Sequence, residues 1–340
     1  MEVDRLETLR QLQLVSPGLA SKDLVEQSKC FVFGDGKIRT FNDEIFCSIP
    51  TTIPIQGAVQ SEGLLAILNK LTQDKVEIDQ RNGELLLKVT GARTGIVMED
   101  QVSLPVDSVE IPTKWKPLPA GFSEAIDLAK NCAATDESRF DLLCVHLHPE
   151  WIEACDGMQM LRFQIKTGLK TGQLVRATSV KHLAPLGVTH FAVGDVWIHF
   201  TNKETGLIFS LRRYEERYPD MTSFYEVEGT PLAFPGGIRE MVEKANIFSS
   251  NGTSDLNQVL VEIKQGKIRI KGSGAYGWHQ EVRKTTFDAD EIRFMIPPKL
   301  LIEFSDKANE CIITSTRLLV DGGKYKWLGC LEEIAQEVAK

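Results

Sequence analysis

The chain has 340 residues, 42% of them hydrophobic and 25% charged, with a formal net charge of -8. This is an ordinary globular composition of two or three domains, with no apolar run near the roughly 20 residues a membrane-spanning helix needs. A pI near 5.4 excludes a protein that binds nucleic acid with its whole surface, but not one with a single basic face, because net charge does not say where the cations sit.

In chain order, Leu6–Leu14 has a helical period, and Cys30–Phe33 and Lys37–Phe41 read as strands joined by the tight turn Gly34-Asp35-Gly36. A third strand over Glu44–Ile49 ends at Pro50, and Ile55–Val59 is a short strand. A helix is expected from Ser61, a plausible N-cap, with Leu64, Leu65, Ile67, Leu68 and Leu71 forming its stripe. Val76–Asp79 alternates as a half-buried strand does, and Asn82-Gly83 turns it into Leu85–Val89. After Pro112, Pro117 and Pro119 the pattern restarts with a helix over Phe122–Cys132. Strands are expected at Leu142–Leu147, Trp151–Ala154 and Leu161–Ile165. A strand at Leu174-Val175, a helix over Ser179–Leu186 and strands near Phe191, Val196–Phe200 and Leu207–Leu211 follow. After Pro231 and Pro235 it begins again: a helix over Ile238–Ile247, then strands at Val259–Ile263, Lys267–Ile270 and Glu281–Arg283. The last unit has a strand at Arg293–Ile296, a helix over Pro298–Phe304, and strands at Cys311–Thr314, Leu318–Val320 and Tyr325–Leu328.

One helix followed by several strands, repeated six times, predicts an α+β fold of three similar domains, 1–117, 118–229 and 230–340. Each would hold two helix-plus-antiparallel-sheet halves, because one half alone cannot bury its apolar face.

Few residues suggest chemistry. Gly272-Ser273-Gly274-Ala275-Tyr276-Gly277 fits the dinucleotide fingerprint, but that motif must open a helix, and Trp278–Arg283 reads as a strand. His146 and His148 share a strand face, with no further ligand at recognisable spacing, so no metal is expected. Asp136-Glu137 and Glu215-Glu216 read as solvated loops, and no nucleophile and base pair up. Cys30, Cys47, Cys132, Cys144, Cys155, Cys311 and Cys330 include no C-x-x-C pair; they read as reduced, buried thiols. Asn251-Gly252-Thr253 fits a glycosylation acceptor, which has no meaning in the cytoplasmic location that the N-terminus, lacking an apolar signal core, leads us to expect. Neither an enzyme nor a cofactor is expected.

Short segments resemble one family. Glu153-Ala154-Cys155-Asp156-Gly157 is similar to the Ala-Thr-Asp-Gly segment of bacterial sliding clamps, the beta subunit of DNA polymerase III. Arg217-Tyr218-Pro219-Asp220 resembles that family's Arg-Phe-Pro-Asp. Phe33–Ile38 resembles its first hairpin, and Val15-Ser16-Pro17-Gly18 the end of its first helix. The resemblance covers nearly the whole chain and implies a DNA sliding clamp of bacterial or bacteriophage type. In such a clamp, two chains joined head to tail close a ring around duplex DNA and tether the polymerase without a catalytic step. Rival readings are a clamp-like scaffold that does not close and a nucleotide-binding enzyme built on the glycine-rich segment.

Each predicted helix, or the turn ending it, carries cations: Arg5, Arg10, Lys70, Lys75, Lys130, Arg139, Lys181, Arg239, Lys244, Lys299 and Lys307. Under the resemblance they line the hole and meet phosphates without reading bases. By position, Lys22 and Arg139-Phe140 correspond to the family's DNA-touching loops. The resemblance further implies a pocket for a short peptide of the polymerase or clamp loader, built from Cys155, Gly157, Met158, Met160, Pro219, Phe224, Leu328 and Cys330. Gln159 replaces a cation there, so less dependence on a partner's acidic groups is expected. The dimer joint would lie between Ile96, Val97 and Met98 of one chain and Ile247 and Phe248 of the other. Where the family ends, Glu332–Lys340 continues, with one or two further helical turns expected.

Overall fold

The computed structural model describes residues 1–22, 25–249 and 257–334. Asn251-Gly252-Thr253 and residues 335–340 lie outside them; Glu332–Glu333, where helix was expected, is a strand paired with Phe294 and Met295. The helices are α1 (Arg5–Val15), α2 (Ser61–Lys70), α3 (Phe122–Ala129), α4 (Ala177–Val180), α5 (Ile238–Ser249) and α6 (Pro298–Lys307). Among the described residues five of these fall where a helix is expected and α4 meets its expected span only at Ser179 and Val180; antiparallel strands fill the intervals, giving an α+β fold.

The differences have local causes. Helix α2 starts on its expected cap, one residue early: Gln60 ends the strand Gly57–Gln60 and takes the cap position, so Ser61 is already helical and gives its N–H to Lys29 O. The helix expected over Ser179–Leu186 is one α-turn and a separate 3-10 turn, Ala184–Leu186. Pro185 disfavours α-helix at the residue before it, and Gly187 at φ 59 ends the segment. Phe140–Leu143 is likewise a 3-10 turn, so the strand expected from Leu142 spans only Cys144–Leu147.

The chain forms two compact units. The first holds Met1–Lys130, Cys144–Pro149 and Lys166–Glu216. Its large sheet has 12 strands, and Ile45–Pro50 pairs with Leu207–Arg212 through Ile208↔Ser48 to Leu211↔Ile45. The second holds Asn131–Leu143, Glu150–Ile165 and Arg217–Lys340. Here Gln159–Gln164 pairs with Tyr325–Cys330, from Gln159↔Gly329 to Phe163↔Tyr325. Both ladders join strands far apart in sequence, so the expected middle segment, 118–229, contributes to each unit.

In the first unit Asp4 caps α1, its carboxylate accepting from Glu7 N at 2.9 Å, and Leu9, Leu12 and Val15 are buried beneath it. In the second, α5 buries Ile238, Met241, Val242 and Ala245 and lies against the strands Lys267–Gly274 and Gly277–Lys284. Those two strands carry the glycine-rich segment, pairing from Lys267↔Lys284 to Gly274↔Gly277. No helix follows it, and Gly272 is needed for another reason: a side chain there would meet the backbone of Ala245 in α5.

Candidate functional site

Within the second unit, three antiparallel strands lie side by side: Trp151–Cys155, Gln159–Gln164 and Tyr325–Cys330. Their register aligns Cys155, Met160 and Leu328, all buried. Asp156 Oδ1 closes the first hairpin by accepting from Met158 N and Gln159 N, both at 2.8 Å. Gly157 takes φ 92 in that turn, where a side chain would be strained. Facing these strands is the 3-10 turn Thr222–Tyr225, whose first N–H is held by Asp220 Oδ1 at 2.9 Å. That bond holds the Asp220 carboxyl below the usual carboxylate range.

Between them is a cavity of about 550 Å³. Met160, Met221, Leu142 and Leu328 line it, with Pro219 and the half-exposed Phe224 as one wall. Arg139 and Arg317 also line it; the Arg317 guanidinium sits 5.5 Å from the Phe224 ring centroid, and Arg139 pairs with Asp141 at 2.7 Å. The sulfurs of Cys155 and Cys330 complete the lining. Burial pushes both thiols up, so they remain protonated and act as apolar surface rather than as nucleophiles.

The wall turn is anchored by one buried side chain. Arg162 donates from Nε to Glu153 Oε2 at 2.8 Å and from Nη1 to Thr222 Oγ1 at 3.3 Å. Its guanidinium lies 4.3 Å from the Trp151 ring centroid and 5.0 Å from that of Tyr225, and Trp151 Nε1 donates to Glu153 Oε1 at 2.8 Å.

The helix-borne cations are mostly exposed and locally compensated. Arg10 pairs with Glu7, Lys130 with Asp127, Arg239 with Glu243 and Asp306, Lys244 with Glu281, and Lys299 with Glu303. Arg5 is turned to a structural task, donating to Leu68 O at 3.0 Å in the last turn of α2 and to Gln73 O at 2.9 Å in the loop after it. Lys22, Lys70, Lys75, Lys181 and Lys307 are exposed, and Phe140 is half-buried.

Two strands of the described residues expose apolar side chains along unpaired stretches of their edges. The strand Ala92–Glu99 pairs with Glu84–Val89 along its length, but with Gly57–Gln60 only at Met98 and Glu99. The strand Gly277–Lys284 is the outermost of its five-stranded sheet. Val97 is 72% exposed on the first edge and Trp278 65% on the second; Ile247, at the end of the neighbouring α5, is 64% exposed.

No protein-family model and no curated protein sequence matches the chain. Solved structures do. The DNA polymerase III beta subunit of Thermotoga maritima aligns with a TM-score of 0.84 at 16% identity, over 98% of this chain and 99% of that one. The DNA polymerase III beta chain of Streptococcus pneumoniae gives 0.84 at 15% identity, with the same coverage. The sliding clamp of Pseudomonas aeruginosa bound to griselimycin gives 0.82 at 14% identity, again over 98% and 99%. This chain has the sliding-clamp fold.

On the clamp fold, the sequence-derived residues fall into place unevenly. Seven of the eight pocket residues line one cavity. Met158 does not: it is exposed in the hairpin turn, and its carbonyl accepts from Cys330 N at 2.8 Å. Leu142, Met221 and Arg317 were missed, since nothing local marks them, and Arg139 was assigned to DNA alone. Two guanidiniums line the cavity beside Gln159, whose Oε1 accepts from Trp327 Nε1 at 3.0 Å. Met98 does not suit a joint: it is 3% exposed and belongs to the core of its own chain. Phe248 is half-buried and stacks on His279 at 6.5 Å, whereas Trp278 offers the exposed apolar surface. Among the described residues no group of three His, Cys, Asp or Glu could hold a metal ion, and no helix is long and apolar enough to cross a membrane.

Proposed function

We propose that this protein is a DNA sliding clamp, a processivity factor that encircles duplex DNA and tethers a polymerase to it. The observation that carries the reading is the sliding-clamp fold over 98% of the chain, with an apolar pocket at the positions where the resemblance puts the partner peptide. The function is topological and no bond is made or broken. Three domains, 1–117, 118–229 and 230–340, in each of two chains would make six around the hole, in the cytoplasm of a bacterium or of a phage-infected host. The exposed cations would meet phosphates. About half of them are paired with a neighbouring carboxylate, which tempers attraction to the backbone and keeps it salt-sensitive, as sliding requires. The deciding experiment loads the protein on nicked circular DNA and then linearises it. Retention on the circle and loss from free ends is expected. Equal retention on both would leave a scaffold that binds DNA without encircling it.

Ring closure would use the two strand edges, Ala92–Val97 of one chain against Gly277–Lys284 of its partner. Strand edges present unpaired N–H and C=O groups that another chain can complete. Trp278 and Ile247 would cover Val97 and Ile96. Ile247→Asp with Trp278→Glu is expected to yield monomers by sedimentation at micromolar concentration. A dimer unaffected by both changes would put the joint elsewhere.

The pocket would take a short apolar peptide of the polymerase or the clamp loader. Its methionines adapt to varied side chains, and Arg139 and Arg317 would favour a peptide with a carboxylate beside its apolar end. Met160→Asp is expected to weaken a cognate polymerase C-terminal peptide by about 100-fold, since a buried charge replaces an apolar contact. Isothermal titration checks this, and unchanged affinity would move the partner site away from the cavity.

A further inference from the structure

A second cavity lies wholly in the first unit, on a part of the chain that the clamp reading does not use. Lys116–Pro117 is a two-residue edge strand, and its ladder with His190–Val193 has only the rungs Phe191↔Lys116 and His190↔Pro117. Beyond Lys116 the chains part. A cavity of about 670 Å³ opens there, lined by residues 112–116, by 191–193 and by the loop that includes Gly168 and Lys170.

Its chemistry is unlike that of the helix faces. Lys114, Lys116 and Lys170 line it and no carboxylate does, in a chain of net charge -8. Lys116 Nζ donates to Gly168 O at 3.2 Å, which fixes one cation at the mouth. Trp115 and the exposed Val193 give it apolar walls. At its lining stands Gln173, 3% exposed. Its Nε2 donates to Thr171 O and Thr171 Oγ1, both at 3.0 Å, which sets the orientation of the amide. That leaves Oε1 buried with no hydrogen-bond partner among the described residues. A buried acceptor without a donor carries a desolvation cost that a bound N–H would relieve.

We propose that this cavity is a second protein-docking site, which takes an acidic peptide segment carrying one bulky apolar side chain. The side chain enters between Trp115 and Val193, a peptide N–H satisfies Gln173 Oε1, and flanking carboxylates meet Lys114 and Lys170. Charge complementarity selects an acidic partner. A peptide suits the site better than a nucleic acid, because Phe191 is buried and Trp115 half-buried, so neither offers an open face for a stacked base. The inference is independent of ring closure and of the methionine-lined pocket.

The test is calorimetric titration of the full chain with a short peptide of Asp and Glu residues around a central Phe. In a Met160→Asp background, which blocks the other pocket, binding of one peptide per chain is expected. Lys114→Glu with Lys170→Glu should weaken it by about 10-fold or more, since two attractions become repulsions. Replacing the peptide's Phe with Ala should cost a similar factor. Gln173→Leu, which removes the acceptor, should weaken it several-fold, with thermal melting as the check that the fold is intact. Phe224→Ala, in the other pocket, should leave binding unchanged. The proposal is overturned if the peptide does not bind, if the charge-reversed protein binds it equally, or if Phe224→Ala abolishes binding. It is also overturned if a single-stranded oligonucleotide, rather than the peptide, binds in a manner dependent on Lys114 and Lys170.

Discussion

Arg162→Ala is expected to destabilise the second unit by about 3–5 kcal/mol, the range for breaking a buried ion pair by removing one partner. Arg162 and Glu153 are both under a tenth exposed, and the guanidinium lies near two aromatic rings while donating to Thr222. Without it, the Glu153 carboxylate stays buried after losing its ion-pair partner, and a gap opens beneath Tyr225. The double variant Glu153→Gln/Arg162→Met should recover part of the loss, because no uncompensated charge remains. Urea unfolding of the single and double variants measures the difference, and a cost below about 1 kcal/mol for Arg162→Ala would show that water reaches the pair. A second readout ties the pair to function. Thr222–Tyr225 abuts the wall formed by Pro219 and Phe224, so peptide affinity for the cavity should fall in Arg162→Ala by more than in an equally destabilised variant remote from it.

Much of this architecture is legible in the sequence because the elements are short and strongly patterned. The stripe of Leu64 and Leu68, the turn at Asn82-Gly83 and the prolines after each pair of halves place helices and hairpins without tertiary information. The pocket is partly legible for another reason: Asp156-Gly157 and Pro219-Asp220 are turn residues, and turns carry local signals. What completes the cavity has none. Arg317 and Leu328 come from strands more than 150 residues beyond Gly157, and only the register Met160↔Leu328 brings them in. Long-range strand pairing likewise links segments on either side of the expected domain boundaries, which no local signal in the sequence shows. The cations show the opposite failure. Their positions on helices are readable, but whether a guanidinium faces solvent or caps a neighbouring helix, as Arg5 does, depends on contacts 60 residues away.

Acid should weaken the first unit through His199. This residue lies on the strand Trp197–Asn202, opposite Ala192 and Ser210, and is 1% exposed. Its Nδ1 shares a hydrogen bond with Ser210 Oγ at 2.8 Å. Burial disfavours the charged ring and lowers its pKa from 6.5 to about 4. The folded state therefore refuses a proton that the unfolded chain accepts. Stability from this group is fully present above pH 6.5, declines as pH falls through the interval to about 4, and is flat below it. Integrated over that interval, the loss is about 3 kcal/mol. Carboxylates titrate in the same range, so the measurement is a difference. Wild type and His199→Asn are unfolded in urea at pH 7, 5.5 and 4, and the stability gap between them is plotted against pH. The gap should narrow by about 3 kcal/mol toward pH 4, because asparagine has no proton to take up. Curves that stay parallel over the whole range would mean that His199 is protonated in the folded protein, with Ser210 and the surrounding strands accommodating the charge.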